Sequence, residues 1–189
     1  KKMDFSSFFQ IGPIPATAME GHYNLWLVVL SCLIAVLASF VALDIAERIR
    51  TTDETSGAKL WWLLGGALAM GVGVWSMHFI GMLAFVLPEP MSYNPSLTCL
   101  SLALAVVASA LAFFLVKNDP VKLSSLMCGG VFMAIGIAGM HYTGMMAMEA
   151  MTIRYLPGLF ALSIVIAIIA SEAALWLMIQ SCKASNLIH

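Results

Sequence analysis

Residues 133–148 read MAIGIAGMHYTGMMAM, and residues 70–85 read MGVGVWSMHFIGMLAF. Laid one under the other they match at Met70/Met133, Gly73/Gly136, Met77/Met140, His78/His141, Gly81/Gly144, Met82/Met145 and Ala84/Ala147. Self-similarity at a fixed offset marks a structural repeat. The segments between these two stretches repeat as well. Tyr23, Ser31, Ala35, Ala38, Ser39 and Ala42 recur as Tyr93, Ser101, Ala105, Ala108, Ser109 and Ala112, then as Tyr155, Ser163, Ala167, Ala170, Ser171 and Ala174. The repeating unit is a pair of segments, present two and a half times.

Each segment is apolar along its whole length. Of the 189 residues 61% are apolar and 10% charged, with mean hydropathy +0.96, where soluble domains carry about 25% charged residues. Runs of roughly 20 apolar residues are needed to cross about 30 Å of hydrocarbon as a helix. Five such runs occur, at about 23–45, 60–87, 96–116, 123–148 and 157–180. The alternating pattern of membrane-spanning strands is absent. The fold class is therefore all-α, a polytopic transmembrane helix bundle built from repeated helix pairs, with residues 1–22 as a tail, 23–180 as the membrane module and 181–189 as the far end. The tail has no apolar core followed by a small-residue cleavage site, so the first helix is expected to act as the insertion signal.

Net charge is −1, which offers nothing to draw nucleic acid; the distribution of charge is more informative. Arg48, Arg50, Lys59, Lys117, Lys122 and Lys183 fall on one side of the helices, and only Lys1, Lys2 and Arg154 on the other. Basic residues favour the cytoplasmic side, so the N-terminus is expected outside, with the second and fourth helices running outward. The tyrosines Tyr23, Tyr93, Tyr142 and Tyr155 then lie toward the outer face, and Trp61 and Trp62 anchor the inner one.

Ser and Ala at repeated helical spacing make one smooth stripe on each odd helix. Gly73, Gly81, Gly136 and Gly144 make a matching stripe on the even helices, interrupted by Met77 and Met140. Small residues let helices approach closely where no hydrophobic force drives them together, so the four glycines are expected against the Ser/Ala stripes, and the methionines could simply fill the gaps. Cys32, Cys99, Cys128 and Cys182 share no metal-type spacing and read as packing residues.

The histidines are harder to explain by packing. His78 and His141 are expected roughly 12–15 Å below the outer helix ends, at about 1.5 Å per residue. An ionisable group at such depth points to function, and a neutral imidazole bonded to a neighbouring helix is the plainer alternative. The same group at the same place in two repeats favours function. Met82 and Met145 lie one turn outward on the same helical faces, with Met77 and Met140 to the side. Imidazole with thioether is the donor set that selects Cu(I), whereas zinc prefers thiolate, imidazole and carboxylate. His22, in the odd-helix repeat, is expected near the outer surface, as a ligand or as a gate or relay for the metal. His189 is assigned no role. Glu172, well inside the fifth helix, stands where the other copies have Phe40 and Ala110 and is a candidate for proton handling. No nucleotide loop, Ser/His/Asp or Cys/His set, HExxH or CxxCH occurs, so no enzymatic activity is expected.

MHFIGM, MHYTGM and the opening GHYNLWLVVLSCLIAVLASFVALDIAERI resemble the MHYT domain, a bacterial integral-membrane sensor module, over almost the whole chain. The resemblance implies copper held by the Met and His residues near the outer face, here Met77, His78 and Met82 with Met140, His141 and Met145, and by His22. It also implies sensing of a diatomic gas such as O₂, CO or NO, or of redox state, and a cytoplasmic output domain such as a diguanylate cyclase, phosphodiesterase, kinase or DNA-binding domain. Phe79-Ile80 stands in place of Tyr142-Thr143 in the first copy. The family module resembles seven helices with three motif copies, so either this sequence is a fragment or its site is completed by a second copy, as in a homodimer, or by another subunit. The readings of a different class are copper transport or metal insertion, with His22 receiving the ion, and bis-histidine haem electron transfer through His78 and His141.

Overall fold

The computed structural model describes residues 8–13, 19, 21–53, 57–88, 91–117, 122–149 and 153–185, the last three by backbone alone. Lys1, Lys2 and His189, and the side chain of Lys183, lie outside the described residues. Among the described residues five helices are long and apolar enough to cross a membrane: α1 Leu25–Thr51, α2 Ala58–Ala84, α3 Pro95–Val116, α4 Leu123–Met146 and α5 Pro157–Ser185. Each packs on the next in sequence, and α1 also meets α5.

Local chemistry sets the helix starts. Asn24 and Asn94, equivalent in the repeat, each cap a helix with the side-chain oxygen: Trp26 N–H donates to Asn24 at 3.1 Å, and Ser96 and Leu97 N–H donate to Asn94 at 3.0 and 3.2 Å. Such caps satisfy backbone donors that a helix start leaves orphaned. Pro95 at the first position of α3 adds a preset φ.

The helix ends differ from the hydropathy reading. The first helix runs to Thr51 rather than about 45, because its charged last turns still pack: Ile45, Ala46 and Ile49 are buried, and Arg48 Nε bonds Asp44 Oδ2 one turn back at 2.8 Å. These residues meet Phe113 and Val116 of α3 and Met178, Ile179 and Cys182 of α5 in a core cluster at the end carrying the basic residues. Cys182 packs as expected, whereas Cys32, Cys99 and Cys128 are free and exposed on the bundle surface.

At the opposite end α2 and α4 stop at Ala84 and Met146, short of 87 and 148, because the chain turns extended. Phe85–Val86 (β2) pairs antiparallel with His22–Tyr23 (β1). The second repeat does the same in miniature: Met148 bridges Tyr93, Asn94 N–H donates to Ala147 O at 2.7 Å and Glu149 N–H to Ser92 O at 3.0 Å. This ribbon end joins each motif helix to the odd helix beside it.

The small-residue stripes meet largely as expected. A Cβ added to Gly73 would lie 2.7 Å from Ala38 Cβ, and one added to Gly136 would lie 2.7 Å from Ala108 Cβ, the equivalent residue of the next copy. Both glycines therefore allow a backbone approach that alanine would prevent. Gly81 faces Ser31, whose hydroxyl donates to Met77 O at 2.9 Å and ties α1 to α2. Gly144 departs from the expectation. Its neighbours are the His78 and Phe79 rings, not a Ser/Ala stripe.

Candidate functional site

His78 and His141 are brought together from non-adjacent helices by the shared contact of α2 and α4 with α3. Their Nδ1 atoms are 3.4 Å apart and their ring centroids 4.8 Å, crossing at 65°. For the contact to be a hydrogen bond, one ring must carry its proton on Nδ1 and the other on Nε2. His78 Nε2 is buried with no hydrogen-bond partner among the described residues. It sits against Gly144, where an added Cβ would be 3.0 Å from it. The glycine of one motif thus makes room for the histidine of the other.

His78 is six residues before Ala84 and His141 five before Met146, so both lie roughly 8–9 Å from the helix ends at about 1.5 Å per residue. This is shallower than the sequence suggested, because both helices end early. Aromatic rings flank the pair. Phe79 stands edge-on to His78 at 5.5 Å and stacks on Trp75 at 4.6 Å, while Tyr142 lies 4.9 Å from His141. Such ring contacts favour one orientation of the imidazoles.

Tyr142 is itself fixed. Its hydroxyl hydrogen-bonds Ser163 Oγ, which donates to Phe160 O at 2.7 Å. Its ring contacts Phe160 at 4.7 Å and Tyr155 at 5.1 Å. Beyond these, the segment at Phe8–Gln10 lies along Tyr155, with Tyr155 N–H donating to Phe8 O at 3.0 Å and Gln10 N–H to Tyr155 O at 2.9 Å. Burial, and then the neighbouring Tyr142, push the Tyr155 phenol up to about 12, and burial raises that of Tyr93. Both hydroxyls are buried without partners among the described residues.

Sequence reading missed Tyr142, Ser163 and Phe79 as supports of the pair. Ser163 carried a signal, since it repeats Ser31 and Ser101: Ser101 and Ser163 each donate to the carbonyl three residues back and bond an aromatic side chain, Trp75 Nε1–H at 3.0 Å and the Tyr142 hydroxyl respectively, whereas Ser31 donates to Met77 O. Of the other expected site residues, Met140 is buried, and Met77, Met82 and Met145 are half-buried on the same two helices. His22 is exposed on β1 opposite Val86, and among the described residues no hydrogen bond or ring contact joins it to the pair.

Among the described residues no three His, Cys, Asp or Glu side chains come together as a metal site. A metal at the pair would have two imidazoles and would take its remaining donors from thioethers or small molecules, the donor set suited to Cu(I) rather than zinc or magnesium. The buried, unpartnered Nε2 of His78 fits a nitrogen left available to a ligand.

No solved structure matches the chain. It is similar to a bifunctional diguanylate cyclase/cyclic di-GMP phosphodiesterase, MucR, of Pseudomonas aeruginosa, with 52% identity over 156 residues covering 82% of this chain and 22% of that protein. The signalling protein YkoW of Bacillus subtilis is 39% identical, with 83% of this chain and 20% of that protein covered. The cyclic di-GMP phosphodiesterase NbdA of Pseudomonas aeruginosa is 41% identical, with 81% and 19% covered. The chain thus spans about a fifth of the length of these relatives. A family model described as the bacterial signalling protein N-terminal repeat, MHYT, matches residues 14–58, 71–129 and 135–188. With two motif histidines meeting between repeated helix pairs and most of its length matched, the chain belongs to the MHYT family.

Proposed function

We propose that this membrane module is a sensor that holds one copper ion between its two motif copies and reports a diatomic gas (O₂, CO or NO) or redox state to a cytoplasmic output. The observation that carries the reading is the meeting of His78 and His141, Nδ1 to Nδ1 at 3.4 Å, inside a bundle where ionisable groups are otherwise scarce. His78 and His141 would hold the metal, with thioethers from Met82, Met145, Met77 or Met140 completing the shell. Bound Cu(I) would supply an open coordination position and one-electron chemistry. The chain's own part is to position the imidazoles through Gly144, Phe79 and the Tyr142–Ser163 bond, and to exclude water. His22, exposed on the ribbon, is proposed as an entry residue and not as a ligand of this site. A haem between the histidines is disfavoured, because the two rings are in contact and leave no gap for a porphyrin plane.

The ribbon end is proposed to face the outside of the inner membrane and the end bearing Arg48, Arg50, Lys59, Lys117 and Lys122 the cytoplasm, by the positive-inside rule. The named activities of MucR and NbdA support cyclic di-GMP turnover as the signalling chemistry downstream. A change at the histidines would pass along α2 and α4 to the cytoplasmic end as a helix displacement.

The test is elemental analysis of membrane-purified protein with its variants. Wild type is expected to carry close to one copper per chain, and H78A and H141A each to lose most of it while inserting and folding. Full copper in the folded double variant overturns the reading. A Soret band in place of copper would favour haem.

A further inference from the structure

Far from the histidines, in the half of the bundle nearer the basic end, α5 places the Glu172 carboxyl directly on Gly130 of α4. Both carboxyl oxygens are buried, and neither has a hydrogen-bond partner among the described residues. The hydroxyl of the adjacent Ser171, 2% exposed, is likewise unpartnered. A Cβ at position 130 would lie within contact distance of the carboxyl carbon and both oxygens. Glycine is thus what gives the carboxyl its space.

The internal repeat shows that this is a paired departure. On α2 and α3 the equivalents of Gly130 and Glu172 are Ala67, in the apolar core cluster, and Ala110, packed against it. Where that copy has two alanines, this one has a glycine and a glutamate.

Among the described residues no charged side chain bonds the Glu172 carboxyl, and the elements packed against α5 are α4, α1 and α3. Helix α4 has no Asp, Glu, Lys or Arg, and its titratable groups are Cys128, His141 and Tyr142; α3 has only Cys99. Charges on α1 are confined to Asp44, Glu47, Arg48 and Arg50 in its last turns, and on α5 itself the other described titratable side chain is Cys182. A buried carboxylate without a partner is costly, and taking up a proton removes that cost.

We propose that Glu172 is a proton-binding site within the membrane, occupied as the uncharged acid while α4 and α5 are packed at Gly130. The proton joins one carboxylate oxygen and comes from water. Its release leaves an unpaired charge at the helix crossing and loosens it. Gly130 lies seven residues after Leu123, roughly 10 Å from that end of α4, and eleven residues before His141, roughly 16 Å from the histidine pair. The site is therefore a second input, set nearer the basic end than the first.

The test is infrared spectroscopy of the full chain in lipid, wild type against E172Q. Gln has the size of the neutral acid, so E172Q is expected to fold and to lose a carbonyl band of a protonated carboxyl. Dicyclohexylcarbodiimide, which reacts with an acid as its proton passes to a carbodiimide nitrogen and its oxygen bonds to the central carbon, is expected to label Glu172 and not the variant. The variant G130A is expected to destabilise the bundle, and G130A/E172A, which recreates the Ala67/Ala110 pair, to restore it. Loss of only a carboxylate band in E172Q, or no labelling of Glu172, overturns the proposal. None of these variants touches the histidines, so copper content is expected to remain at the wild-type level throughout.

Discussion

Gly81 and Gly144 occupy the same position of the two motif copies, yet the structure gives them different neighbours, so the same substitution is expected to act differently at each. In Gly144→Ala the new methyl would lie 3.0 Å from His78 Nε2 and 3.4 Å from both His78 Cδ2 and Phe79 Cε2. Two rings of the site must then give way. In Gly81→Ala the nearest atom is Ser31 Oγ at 3.5 Å, an ordinary van der Waals contact. Overpacking of a tight site costs about 1–3 kcal/mol, while alanine gains up to about 1 kcal/mol over glycine in a helix interior. The helix term is common to both variants and cancels when one is compared with the other. The difference in stability between them is therefore expected to be about 1–3 kcal/mol, with G144A the weaker. Reversible unfolding of the reconstituted protein measures it. Because His78 must move, G144A is also expected to lose copper content while G81A keeps it. Equal stabilities and equal copper in the two variants would refute the assignment of Gly144 to the His78 face, and with it the view that the motif glycine serves the other motif's histidine.

The Tyr142–Ser163 bond is expected to contribute about 0.6–2 kcal/mol; Y142F and S163A should each lose that amount and the double variant no more than either, and additive losses in a double-mutant cycle would show the bond to be idle. Gly73 and Gly136, each with a would-be Cβ 2.7 Å from an alanine methyl, are expected to destabilise alike as G73A and G136A, with rescue by A38G and A108G respectively; failure of rescue in unfolding measurements would place the strain elsewhere. The folded chain holds the Tyr155 phenolic proton up to about pH 12, whereas an unfolded tyrosine releases it near about 10. This contribution to stability is therefore fully present below about pH 10 and is lost as pH rises through the folded value. Thermal unfolding of Y155F in detergent should decline less steeply than wild type across that window, and parallel curves would remove Tyr155 as the cause.

The repeat was legible because helix packing in a membrane demands small residues at fixed spacing, and Gly73 against Ala38 and Gly136 against Ala108 are that demand met twice. The meeting of the two histidines followed from their equal depth on equivalent helices. The helix ends were not legible to the same degree, since an apolar run marks hydrocarbon and not hydrogen bonding. Phe85 and Val86 are apolar but belong to the ribbon with His22 and Tyr23, whereas Asp44, Arg48 and Arg50 are charged but helical. The contacts of Gly144 were illegible for a deeper reason. Copies related by a two-fold axis exchange contacts, so that if Gly144 met His78, Gly81 would meet His141. The motif helices α2 and α4 do not exchange contacts in this way: Gly144 meets His78, while Gly81 meets Ser31 of α1. Alignment of the two motifs identifies which residues correspond; the packing of the helices decides which of them touch. It follows that the two copies form one shared centre with unequal halves, in which His78 is the histidine pressed by glycine and phenylalanine and His141 the one ordered by Tyr142.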